Sequence, residues 1–121
     1  MSSALYCFHM KFFVTYQMPH AGLDEWMKLP EAERKEQEVA MQSEWNAWMA
    51  AHKDAVTETA GVRKPKRVTA GGVEDSRNDL MMYSFVEAES LEAAAEMFKS
   101  HPHFGIPGGS IEVMSVNADI G

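Results

Sequence analysis

One periodic stretch constrains the fold more than any other. Met41, Trp45, Trp48, Met49 and His52 recur at i, i+4, i+7, i+8 and i+11. A helix over residues 31 to about 56 therefore carries indoles and thioethers on a single stripe roughly 100° wide. Such a stripe is not stable in water alone, because most helical stability comes from packing an amphipathic face. The chain must supply a sheet for it to cover.

Strand patterns meet that need. Residues 10 to 17 place Met10, Phe12, Val14 and Tyr16 on one face and Lys11, Phe13, Thr15 and Gln17 on the other. Residues 80 to 86 alternate Leu80, Met82, Ser84 and Val86 with Met81, Tyr83 and Phe85. Both are apolar on two sides, as central strands are. A weaker strand is expected from Arg67 to Gly71 and a last one from Ser110 to Val116, with Ile111 and Val113 on one face. Asp24 is placed to cap a single turn holding Trp26 and Met27, and Pro30 to open the long helix, with Glu31 and Glu33 at its positive end. Ser90 caps a second helix whose buried stripe is Leu91, Ala94, Ala95 and Phe98.

The order strand, helix, strand, strand, helix, strand is the ferredoxin-like βαββαβ plan, an α+β fold with a four-stranded antiparallel sheet and two helices on one face. The other face then has apolar side chains and no cover. A homodimer through that sheet face, a dimeric α+β barrel, would close it.

Composition enters as a set of exclusions. At 121 residues the chain suits one domain, read as an extension over residues 1–9 and a domain over 10–121. A net charge of −7, with basic residues clustered only at Arg63, Lys64, Lys66 and Arg67, argues against a nucleic-acid partner and leaves that cluster as a solvated linker. The single cysteine, Cys7, excludes an internal disulfide framework and a cysteine-based metal site, so a reducing cytoplasm is the natural location. No apolar run approaches the ~18 residues of a membrane span. Neither a cofactor loop nor a nucleophile elbow is present, and no cofactor or metal is expected.

Several motifs together resemble the YCII-related proteins, including the branch with an Asp-Gly-Pro-Phe motif. They are Met10-Lys-Phe-Phe-Val-Thr-Tyr, Leu29-Pro-Glu-Ala-Glu-Arg, Ala88-Glu-Ser-Leu-Glu-Ala-Ala-Ala, His101-Pro-His and Gly109-Ser-Ile-Glu-Val. The resemblance implies a small dimeric α+β barrel, with a few members suspected of dehalogenation or lactone-type chemistry. Where the Asp-Gly-Pro-Phe motif would stand, this chain reads Gly72-Val-Glu-Asp-Ser-Arg-Asn-Asp, so a role tied to that motif is not carried over. A histidine and aspartate pair is proposed as catalytic in some short members of the family, and the long helix offers only His52 and Asp54, near its end, for it.

The candidates for acid and base chemistry are His101 and His103, which flank Pro102 ahead of a glycine-rich loop, together with His20 and Asp75 in loops. Against that reading, His101 could cap helix carbonyls and Asp75 could make only local turn bonds. Tyr16, Trp48 and His52 are candidates for holding a ligand, or for core packing instead. Two functions remain open. One is a cofactor-independent enzyme acting on a small apolar or aromatic metabolite. The alternative is a non-catalytic ligand-binding or protein-interaction module.

Overall fold

The computed structural model describes residues 10–116. The chain runs β1 (Met10–Gln17), α1 (His20–Met27), α2 (Glu31–Ala51), β2 (Val56–Gly61), β3 (Lys66–Thr69), β4 (Gly72–Asp75), β5 (Leu80–Ala88), α3 (Leu91–Met97), a 3-10 turn (Pro102–Gly105) and β6 (Ser110–Ser115). The expected extension over residues 1–9 lies outside the described residues.

Strands β2, β5, β1 and β6 form, in that order, a four-stranded antiparallel sheet. This is the ferredoxin-like order, with β1 and β5 at the centre. Register puts Phe12, Val14 and Tyr16 beside Val86, Ser84 and Met82 on one face, with Ile111 and Val113 of β6 alongside. The helices α2 and α3 cover that face. Trp48 of α2, Ala94 of α3 and Phe98 complete the core with Phe12, Val14, Tyr16 and Val86, and Trp45 and Met49 pack against it. The indole stripe does what its periodicity demands.

Several expectations are corrected. The second strand of the plan is β2 (Val56–Gly61), not Arg67 to Gly71, and α2 stops at Ala51. The run Val56-Thr57-Glu58-Thr59 carries three β-branched residues, and it gains more by pairing with β5 than by prolonging the helix. His52 ends the helix by turning its Nδ1 to the Trp48 carbonyl at 2.8 Å. Residues 66–75 form a separate hairpin, β3 with β4, in which Val68 faces Val73 and Lys66 pairs with Asp75. Second, the turn before Pro30 is a full eight-residue helix, α1, opened by the Pro19 carbonyl rather than by Asp24. Third, of the α3 stripe only Ala94 and Phe98 are buried, and Leu91 and Ala95 face outward. Ser90 caps α3 as expected, its Oγ accepting from the Ala93 N–H at 3.0 Å.

The second sheet face carries Phe13, Tyr83 and Phe85, whose rings lie 5.2–5.8 Å apart. Lys11 sits 4.7 Å over the Phe85 ring, and the Tyr83 hydroxyl donates to Glu58 at 2.5 Å. None of the buried helix residues packs against this cluster. Met81 does not join it. A β-bulge between the Tyr16–Met82 and Gln17–Leu80 pairs shifts the alternation, and Met81 lines clefts on the helix side.

Candidate functional site

The His101-Pro-His103 segment leaves α3 and turns inward. His101 is 2% exposed and ringed by Trp45 and Trp48, both at 4.5 Å between ring centres, with Tyr16 at 5.3 Å and Phe98 at 5.8 Å. Its Nδ1 accepts from the His103 N–H at 2.9 Å, so in the neutral ring the proton sits on Nε2. That Nε2 is buried without a hydrogen-bond partner. Burial, followed by repulsion from His103 and His52, pushes the His101 pKa down to about 4. His101 is thus a neutral, aromatic core residue at pH 7.

His103 is equally buried, and its Nε2 donates to the Gln17 carbonyl at 2.8 Å, tying the turn to the end of β1. Gly109 is required there, because a Cβ would stand 2.9 Å from the His103 carbonyl oxygen and 3.3 Å from Nε2. Above Tyr16 the packing is equally closed. The Tyr16 hydroxyl meets Ser84 Oγ at 2.8 Å and Ser84 meets Thr59 at 2.7 Å, a hydroxyl chain across three strands. Burial raises the Tyr16 pKa, and the Ser84 bond offsets this only in part.

Open space lies beside this cluster rather than within it. A cleft of about 480 Å³ runs between α2 and the sheet, with Met41, Trp45, Met82, His103 and Ile106 on its walls. It shares Glu38, Met41, Met81 and Ile106 with a smaller apolar limb of about 190 Å³ that reaches Trp26 and Leu23 of α1. That limb in turn shares Met18, Leu23 and Met81 with a third cleft, of about 490 Å³, which holds His20 and Asp79. Here His20 Nδ1 lies 3.0 Å from Asp79 Oδ1. The carboxylate fixes the proton on Nδ1 and leaves Nε2 of the neutral ring as an acceptor, the arrangement of a histidine general base held by a carboxylate.

The residues singled out in the sequence therefore fall into separate places. Tyr16, Trp48, His101 and His103 come together in or beside the core, and His52 stacks on Trp48 at 4.1 Å. His20 stands apart, at the β1 end of the sheet. Asp75 is in the β3–β4 hairpin, exposed and paired with Lys66, and meets no histidine. The partner of His20 is Asp79, which is not among the candidates named from the sequence. Its signal was available in the strand pairing. An antiparallel β1–β5 pair that aligns Gln17 with Leu80 brings the residues just after one and just before the other to the same edge.

Among the described residues no group of three or more His, Cys, Asp or Glu could hold a metal ion. Nor, among them, is any helix long and apolar enough to cross a membrane.

No protein-family model matches this sequence, and no curated protein does. Among solved structures the chain is similar to 5-chloro-2-hydroxyhydroquinone dehydrochlorinase (TftG) from Burkholderia phenoliruptrix AC1100, in complex with 2,5-dihydroxybenzoquinone. The TM-score is 0.53 at 13% identity, over 89% of this chain and 94% of that one. A hydantoinase/carbamoylase family amidase from Burkholderia ambifaria matches with a TM-score of 0.33 at 12% identity, over 90% of this chain and 27% of that one, too slight a likeness to argue from. The first shows a shared α+β fold.

Proposed function

We propose that the protein is a YCII-like, cofactor-independent enzyme of the cytoplasm, in which His20, oriented by Asp79, moves a proton on a small apolar or aromatic metabolite. The observation that carries this reading is the 3.0 Å His20–Asp79 contact in the wall of a cleft that continues into an apolar limb. The chemistry asks only for an acceptor nitrogen in hydrogen-bond reach of an acidic proton, a carboxylate behind it, and an apolar limb beside it to hold the body of the substrate. His20 Nε2 would take a proton from one substrate atom and return it to another. The fold neighbour acts on a chlorinated hydroxyhydroquinone, so the first compounds to try are substituted hydroquinones and hydroxylated aromatic acids. Deuterium uptake from D2O into such compounds, followed by NMR, reads proton transfer directly. His20→Gln should abolish it, and Asp79→Asn should reduce it by releasing the ring. Full exchange by His20→Gln would sink the assignment.

The alternative, a non-catalytic binding module, is supported by the commitment of His101 and His103 to packing and backbone bonds. It predicts melting shifts with compounds of this panel and no exchange with any.

The working unit in this proposal is a homodimer sharing the Phe13, Tyr83 and Phe85 face, because one two-fold contact hides the same apolar patch on both copies. Light scattering behind a sizing column should give about twice the 13.5 kDa chain mass at micromolar concentration. Phe85→Asp should yield monomer or precipitate, since it desolvates a charge in the contact. A monomeric unmodified protein would refute the shared face.

A further inference from the structure

The basic linker between β2 and β3 does not simply trail in solvent. Val62 donates to the Met81 carbonyl at 3.0 Å, and the Pro65 carbonyl accepts from the Ser76 N–H at 3.2 Å, so both ends of residues 62–65 are pinned to neighbouring chain. Between those pins, Arg63 and Lys64 line the same cleft as His20, and Arg77 lines it with them. Arg77 is partly neutralised by Asp24 at 3.2 Å. Among the described residues no carboxylate forms an ion pair with Arg63 or Lys64. On a chain of net charge −7 this is a local reversal of sign, and it coincides with the one His–Asp pair among the described residues.

We propose that this cleft selects an anionic aromatic or apolar acid, its carboxylate or phenolate held by Arg63 and Lys64 and its apolar body in the limb lined by Met18, Leu23 and Met81. The inference rests on the His20 site proposed above and names its substrate class. Charge and shape divide the work. A guanidinium and an ammonium give charge-assisted hydrogen bonds to an oxyanion. The Met-rich limb adapts to an apolar body without fixing its polar pattern. Anchoring the anion at Arg63 and Lys64 also sets the rest of the molecule across the mouth of the limb, beside His20. In an otherwise acidic surface, the same charges would draw anions to the cleft and leave neutral analogues to chance encounter.

The test uses matched pairs on the full chain: benzoate against benzamide, and 2,5-dihydroxybenzoate against its amide, with inorganic phosphate as a third probe. Calorimetric titration should show the acids binding at least about tenfold tighter than the amides. The variant Arg63→Gln with Lys64→Gln should erase that preference while leaving the affinity for the amides unchanged. These side chains are exposed, so the variant's melting temperature should match that of the parent protein. Acids and amides binding alike, no binding by either acid, or an acid preference that survives in the double variant would each overturn the proposal. So would phosphate binding as tightly as benzoate, which would mark a bare anion site with no role for the limb. Should the anion preference fail while His20→Gln still abolishes deuterium exchange on a neutral hydroquinone, the catalytic reading stands and only the substrate class falls.

Discussion

Replacing Trp48 with alanine is expected to cost about 3 to 5 kcal/mol of stability, the range for a buried tryptophan. Trp48 is the only residue of α2 that is buried. Its indole packs against His101, Phe98 and the His52 ring at 4.5, 4.9 and 4.1 Å, so truncation opens a cavity at the junction of helix, 3-10 turn and α3. The loss should be a large fraction of the stability margin of a domain this size. A second variant separates packing from polarity. Trp48 Nε1 is buried without a hydrogen-bond partner, so Trp48→Phe keeps much of the ring contact and removes an unpaired donor. It should cost far less than Trp48→Ala in urea unfolding. Equal losses would show that the indole N–H is bonded in solution, and a Trp48→Ala loss below about 1 kcal/mol would remove the account of α2 as the core helix.

What was legible in the sequence follows from where the physics is local. The periodicity of Met41, Trp45, Trp48 and Met49 identifies the helix and its buried face, because burial demands that spacing whatever the sheet beneath. Two-sided apolar strands identify β1 and β5 as central for the same reason. The end of α2 was not legible. Val56 continues the helical phase as well as it starts a strand, and only pairing with β5 decides between them. Strict alternation puts Met81 on the face of Tyr83 and Phe85, but a bulge costs one residue of register and leaves no local mark in the sequence.

The site was less legible than the fold, and for a related reason. His101-Pro-His103 is conspicuous as a string, yet its prominence reflects packing: one ring is sealed among aromatics and the other ties the turn to β1. The His20–Asp79 contact joins residues far apart in sequence and depends on the β1–β5 register. Arg63 and Lys64 read as solvated linker because a charge run has no meaning until its ends are pinned. Composition gave the sign of the whole chain, and the sheet edge gives the sign of the cleft.

The burial of His101 has a consequence in solution that is separate from any catalysis. Its ring is ringed by Tyr16, Trp45, Trp48 and Phe98, with His103 as its polar neighbour, and the protonated form has no carboxylate among these contacts to meet. In the folded chain His101 takes up its proton only near pH 4, against 6.5 for an ordinary histidine. Between those values the unfolded chain binds a proton that the folded chain refuses, so stability rises with pH across the window and falls as the solution is acidified. The penalty accumulates from about pH 6.5 downward and levels off near 4, reaching roughly 3 kcal/mol if the full shift is expressed. Urea unfolding at several pH values through this range measures it. His101→Asn supplies the control, since its side-chain oxygen can replace Nδ1 as acceptor for the His103 N–H and the residue cannot titrate. The variant should be less stable at pH 7 because it leaves space among the aromatic rings, and its stability should fall less steeply on acidification. If both proteins lose stability in parallel from pH 6.5 to 4, the acid sensitivity belongs to other groups and His101 is protonated in the folded state as readily as in the unfolded one.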